Sequence, residues 1–160
     1  CGVGMKGASM HRILDELTTA YASATGCTCE KEGENHVALL VEGGRLRVGF
    51  LESSGMLLFH TVVAPLPGKE NGRGEFCMKL LAANNFFSGT SGFTLGVDES
   101  QEVVTLQLAW DAFSLNGEGF TQIVDNMLFA AADWMVRLDA WQPSPEEGKD
   151  DALMVNFLKV

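Results

Sequence analysis

The sequence predicts an α+β domain: an antiparallel, twisted sheet with three helices, in the order α-β-β-β-β-α-β-β-α. Three observations predict it. Apolar residues recur at steps of three and four in three separate stretches, the signature of amphipathic helices. Four short stretches of β-forming residues, the clearest with period-two alternation, lie between the first and second of these, and two more lie between the second and third. Most of these strands are joined by turns of only a few residues, which makes their neighbours antiparallel.

The first helix is expected over Met10–Thr25, with Ser9 as N-cap and Gly26 as the stop. Met10, Ile13, Leu14, Leu17, Tyr21 and Ala24 share its apolar face. Strands follow over Cys27–Lys31, His36–Glu42, Arg45–Glu52 and Met56–Ala64, with Gly43-Gly44 and Ser53-Ser54-Gly55 turning the chain between them. In the third strand Leu46, Val48 and Phe50 fall on one face, with Arg45, Arg47 and Gly49 on the other. The fourth is apolar on both faces and must be covered on both, one of them by a partner or another element. After a Pro- and Gly-rich loop at 65–74, a second helix reads over Glu75–Phe87, with Phe76, Leu80, Leu81, Asn84 and Phe87 on one side. A hairpin follows over Phe93–Asp98 and Glu102–Trp110. The third helix runs over Glu118–Ala140, with a wide apolar stripe from Phe120 to Trp141. The organisation is then an N-terminal extension or cloning remnant at 1–8, one domain at 9–141, an acidic linker at 142–151 and an apolar tail at 152–160.

The 160 residues carry 11 Lys+Arg against 21 Asp+Glu, a net charge of -10. That balance repels phosphate backbones and anionic lipid surfaces, so nucleic acid and membrane are not expected partners. No apolar run approaches the roughly 18 residues of a membrane span, and no basic start with an apolar stretch marks a signal peptide. Four irregularly spaced Cys suit a reducing compartment better than a disulfide scaffold. The expected location is the cytoplasm.

Catalytic motifs are sought and not found. Gly68-Lys69 and Gly72-Arg73-Gly74 lack the frame of a phosphate-binding loop, and Gly89, Gly92 and Gly96 lack dinucleotide spacing. His11, His36 and His60 are scattered. Cys27 and Cys29 with His36 would make a metal site only if folded together, and they read more simply as strand residues. Cys77 near a helix N-terminus reads as a small core residue, and His60 in an apolar strand as a core or interface histidine. The pairs Asp15-Glu16, Asp98-Glu99 and Glu146-Glu147 read as solvated charge. The expectation is no enzyme, no metal and no cofactor.

The stretch Leu80-Leu81-Ala82-Ala83-Asn84-Asn85-Phe86-Phe87, the Gly-rich turn Ser88–Gly92, the strand Phe93-Thr94-Leu95-Gly96-Val97-Asp98 and the strand Glu102–Gln107 resemble the central segment of the class I type III secretion chaperones, the family of the Tir chaperone. Family members carry a helix ending in Leu-Leu, two variable positions, Asn and an aromatic, then a Gly-rich turn and a Leu-Gly-Leu-Asp strand. The resemblance implies a bacterial cytoplasmic homodimer that holds the N-terminal region of a secreted effector in extended form and keeps it soluble, without catalysis or cofactor. It places the dimer interface on the second helix and an adjacent strand, at Phe76, Leu80, Asn84, Phe87, Val103 and Thr105. A non-catalytic ligand-sensing or scaffold domain is the alternative reading, and an enzyme using Cys77 or His60 a third.

Partner binding is expected on the first helix and first sheet block, at Leu14, Leu17, Leu39, Val41, Leu46, Val48 and Phe50, some of which must also be core. The tail is expected to dock through Leu153, Val155 and Phe157, or through Met154 and Leu158. It would either stand in for a cargo peptide or close the core.

Overall fold

A computed structural model describes residues 3–42 and 44–143, with side chains from residue 12 onward. The predicted element order holds. Helix α1 (Val3–Thr25) leads into strands β1 (Thr28–Lys31), β2 (His36–Val41), β3 (Gly44–Leu51) and β4 (Met56–Pro65). Helix α2 (Arg73–Asn84), strands β5 (Thr94–Asp98) and β6 (Val103–Asp111), and helix α3 (Gly117–Asp139) complete it. The expected tail at 152–160 and most of the acidic linker lie outside the described residues.

The six strands form one sheet in the order β1-β2-β3-β4-β6-β5, every neighbouring pair antiparallel. Register explains the core. Leu39, Leu46, Thr61 and Leu106 face one another across β2, β3, β4 and β6, and all four are buried. With Val37, Val48, Phe50, Leu57 and Phe59 they make the covered face of the sheet. Helix α3 lays Phe120, Val124, Met127, Ala131 and Trp134 on it, and α1 adds Leu14, Leu17 and Tyr21. Phe59 and Phe120 meet with ring centroids 5.5 Å apart, and Tyr21 meets Phe120 edge-on at 6.1 Å.

Local departures from expectation have local causes. Helix α1 starts at Val3, so Ser9 is inside it; Gly4 and Gly7 each cost about 1 kcal/mol without breaking a helix flanked by good formers. Its end is as expected, with Gly26 at φ 76° and its N–H bonded to the Ala22 carbonyl. Helix α2 stops at Asn84 rather than Phe87: residues Asn85–Phe87 form a 3₁₀ turn in which Phe86 and Phe87 take φ of 52° and 54°. Helix α3 is capped by Asn116, whose side chain accepts from the Gly119 N–H at 2.8 Å. Strand β4 carries a bulge, with Val62 opposite Thr105 and Ala64 opposite Val104, while Val63 continues the inward alternation of Leu57, Phe59 and Thr61.

Candidate functional site

Two surfaces stand out. The first surrounds α2. Phe76 and Leu80 point inward and are buried, whereas Met78 (65% exposed) and Leu81 (62%) project from the opposite side. Leu81 lies about 100° around the helix from Leu80, so burying one leaves the other on the open side. The turn after α2 adds Phe86, 92% exposed, and Phe87, and Val97 of β5 lies partly exposed nearby. Two successive bulky residues in the left-handed region cost about 1–2 kcal/mol each.

Asn84 sits where this surface meets the sheet. Its Oδ1 accepts from the Leu95 N–H at 2.8 Å, and its Nδ2 donates to the Leu95 carbonyl at 2.9 Å. Among the described residues β5 pairs with β6 alone, so it is an edge strand, and Asn84 closes both backbone groups that Leu95 turns outward. The Leu-Leu-x-x-Asn spacing therefore has a geometric reason: one further helical step places an amide against the middle of the edge strand.

The second surface is the face of the sheet away from the helices, with the opposite edge. Leu40, Leu58 and Val62 lie there among Arg45, Arg47, His60 and Gln107. Arg45 bridges Glu30 and Glu32, and Arg47 pairs with Glu32 at 2.9 Å. His60 is half-buried between Arg47 and Gln107; burial, and then the Arg47 charge, push its pKa below the ordinary histidine value. Strand β1 pairs with β2 alone among the described residues, and its four side chains are exposed. Lys31 ties it to α1 through Asp15 at 2.7 Å. Buried in the α1–α3 contact, the Tyr21 hydroxyl donates to Asp125 at 2.9 Å, and desolvation together with that bond raises its pKa.

Against this geometry the expected site residues separate. Leu14, Leu17, Leu39, Leu46, Val48 and Phe50 are buried in the core, and of the expected partner-binding set only Val41 is partly open. In the expected interface set, Phe76, Leu80 and Thr105 are buried, Asn84 is engaged with Leu95, Val103 is half-buried, and Phe87 is exposed. The cause is that the expected partner-binding residues are the apolar alternation of their own helix and strands, which α1, α3 and the sheet bury against one another, while Arg45, Arg47, His60 and Gln107 line the open face. Leu81, expected on one side of the second helix with Phe76 and Leu80, instead stands exposed on the other side with Met78, and Phe86, outside the expected interface set, is exposed beyond the helix end. Among the described residues no group of three or more His, Cys, Asp or Glu is placed to hold a metal ion, and no helix is long and apolar enough to cross a membrane.

The model of the Tir chaperone protein (CesT) family matches residues 16–135. The chain belongs to this family. The family expected from the Leu80–Gln107 stretch and the α+β fold are both borne out. Three solved structures share the fold. The ExsC-ExsE complex matches at 23% identity and TM-score 0.62, over 81% of this chain and 92% of that one. The HopA1-SchA chaperone-effector complex matches at 13% and 0.63, over 79% and 95%. The Yersinia pestis type III secretion chaperone SycH, in complex with a stable fragment of YscM2, matches at 13% and 0.56, over 75% and 98%. No curated protein sequence matches the chain.

Proposed function

We propose that this member of the Tir chaperone family is a cytoplasmic type III secretion chaperone, without catalytic activity, that acts as a homodimer and holds the N-terminal segment of a secreted effector extended and soluble. The observation that carries the reading is the family match across residues 16–135, on a fold shared with chaperones solved together with their partners.

The two surfaces divide the work. Met78, Leu81, Phe86 and Phe87 supply the apolar patch that a monomer tolerates poorly and a two-fold interface would bury, with Val97 at its margin. The edge of β1, which pairs with β2 alone among the described residues, would take an extended peptide as a further strand, and its exposed side chains Thr28, Cys29, Glu30 and Lys31 would flank that peptide. The net charge of -10 keeps such a surface soluble.

Co-expression with the product of the adjacent reading frame tests the proposal. The expected result is a complex in which an N-terminal segment of the partner is protected from proteolysis, with two copies of the chaperone. A chain that sediments as a monomer at micromolar concentration and retains no partner segment would overturn it.

A further inference from the structure

The described chain ends on a groove. Between the end of β4, the loop after it and the last turns of α3 lies a cavity of about 850 Å³, within the range of roughly 300–1,000 Å³ typical of occupied sites. Its lining is mainly apolar: Val63, Leu66, Phe76, Met135, Val136 and Trp141. Val136, exposed on the outer side of α3, and the partly exposed Leu66 and Met135 leave part of this lining open. The Trp141 indole Nε1 is buried and has no hydrogen-bond partner among the described residues, a position in which an indole N–H normally finds an acceptor. The groove thus presents uncovered apolar surface at Leu66, Met135 and Val136.

The backbone is delivered to this place by packing. Gly72, at φ 72°, lies so close beneath the segment after α3 that a Cβ there would stand 2.8 Å from the Pro143 Cβ and 3.0 Å from the Trp141 ring. No other residue fits both that dihedral and that gap. Pro143 is thereby held at the rim of the groove and lines it. Seventeen residues follow in the sequence: residues 144–151, Ser-Pro-Glu-Glu-Gly-Lys-Asp-Asp, and then residues 152–160, Ala-Leu-Met-Val-Asn-Phe-Leu-Lys-Val. Eight linker residues reach at most about 26 Å, enough to turn back onto a groove that begins at Pro143. Charge agrees as well. Asp139 is the charged residue among those lining the groove, and Lys159 is the charged residue of the 152–160 segment.

We infer that residues 152–160 dock in the groove of their own chain and cover its apolar lining. A short tether sets an effective concentration of the order of 1 mM. A segment that would bind as a free peptide with a Kd of about 0.1 mM is then docked about nine-tenths of the time, which slows exchange of the protected protons about tenfold. This docking is independent of effector binding, so its failure would leave the chaperone reading untouched.

The test is hydrogen exchange by NMR on the full chain without effector, reading the amides of 152–160. The tail variant Leu153→Asp with Phe157→Asp leaves the described fold alone, and Val136→Asp alters an exposed position of the groove. Expected is about tenfold protection in the parent chain, lost in both variants and independent of protein concentration. Protection that survives the tail variant, protection that rises with protein concentration, or its absence in the parent would each overturn the inference.

Discussion

Asn84 offers the sharpest test of how this fold is held. Its two hydrogen bonds to Leu95, at 2.8 and 2.9 Å, tie the end of α2 to the edge strand β5. Asn84→Ala removes both and leaves the Leu95 N–H and carbonyl to find water at a half-buried position. At about 1 kcal/mol per bond, the expected loss is about 2 kcal/mol. For a domain of this size that lowers Tm by about 6 °C. Asn84→Asp keeps the acceptor for the Leu95 N–H but sets a carboxylate oxygen against the Leu95 carbonyl. It is expected to cost at least as much at pH 7, with the gap from the parent narrowing below about pH 4 as the carboxyl regains a proton to donate. The assay is urea unfolding followed by circular dichroism at two protein concentrations. A loss below about 0.5 kcal/mol would refute the edge-closing role. A loss that grows as the protein is diluted would place Asn84 in an interface between copies instead.

Three further outcomes follow from the same geometry. Leu81→Asp with Met78→Asp should convert the chain to a monomer by sedimentation, since both side chains already face solvent and their loss creates no cavity; a dimer that persists would move the interface elsewhere. Leu39→Ala, at a fully buried position, should cost about 2–5 kcal/mol in denaturant unfolding whatever the partner, and a cost under 1 kcal/mol would contradict its place in the core. Because the folded state holds His60 below its ordinary pKa, the unfolded chain binds the proton more readily. This contribution is therefore intact above about pH 6.5 and is lost as pH falls through the folded value. His60→Gln should flatten the acid side of the stability–pH curve relative to the parent, and an unchanged slope would show His60 to be freely solvated.

Much of this molecule was legible in the sequence because periodicity is local. The alternation in Arg45–Glu52, the 3.6-residue stripe of α3 and the stop at Gly26 each depend on a few neighbouring residues, and the elements formed within a few residues of their expected places except at the start of α1, seven residues early at Val3. The helix–turn–strand spacing from Leu80 to Gln107 likewise carried the family. What the chain alone could not decide was which of two apolar faces becomes the inside. Leu39 and Leu40, or Leu80 and Leu81, are the same side chain one residue apart. Only the packing of α1 and α3 on the sheet, and of α2 beside β5, buries the first of each pair and leaves the second partly open. The same holds for Asn84, whose amide acquires its role only when the strand eleven residues later returns beside it. Burial and edge closure are properties of contacts between distant segments, so tertiary structure alone could fix them.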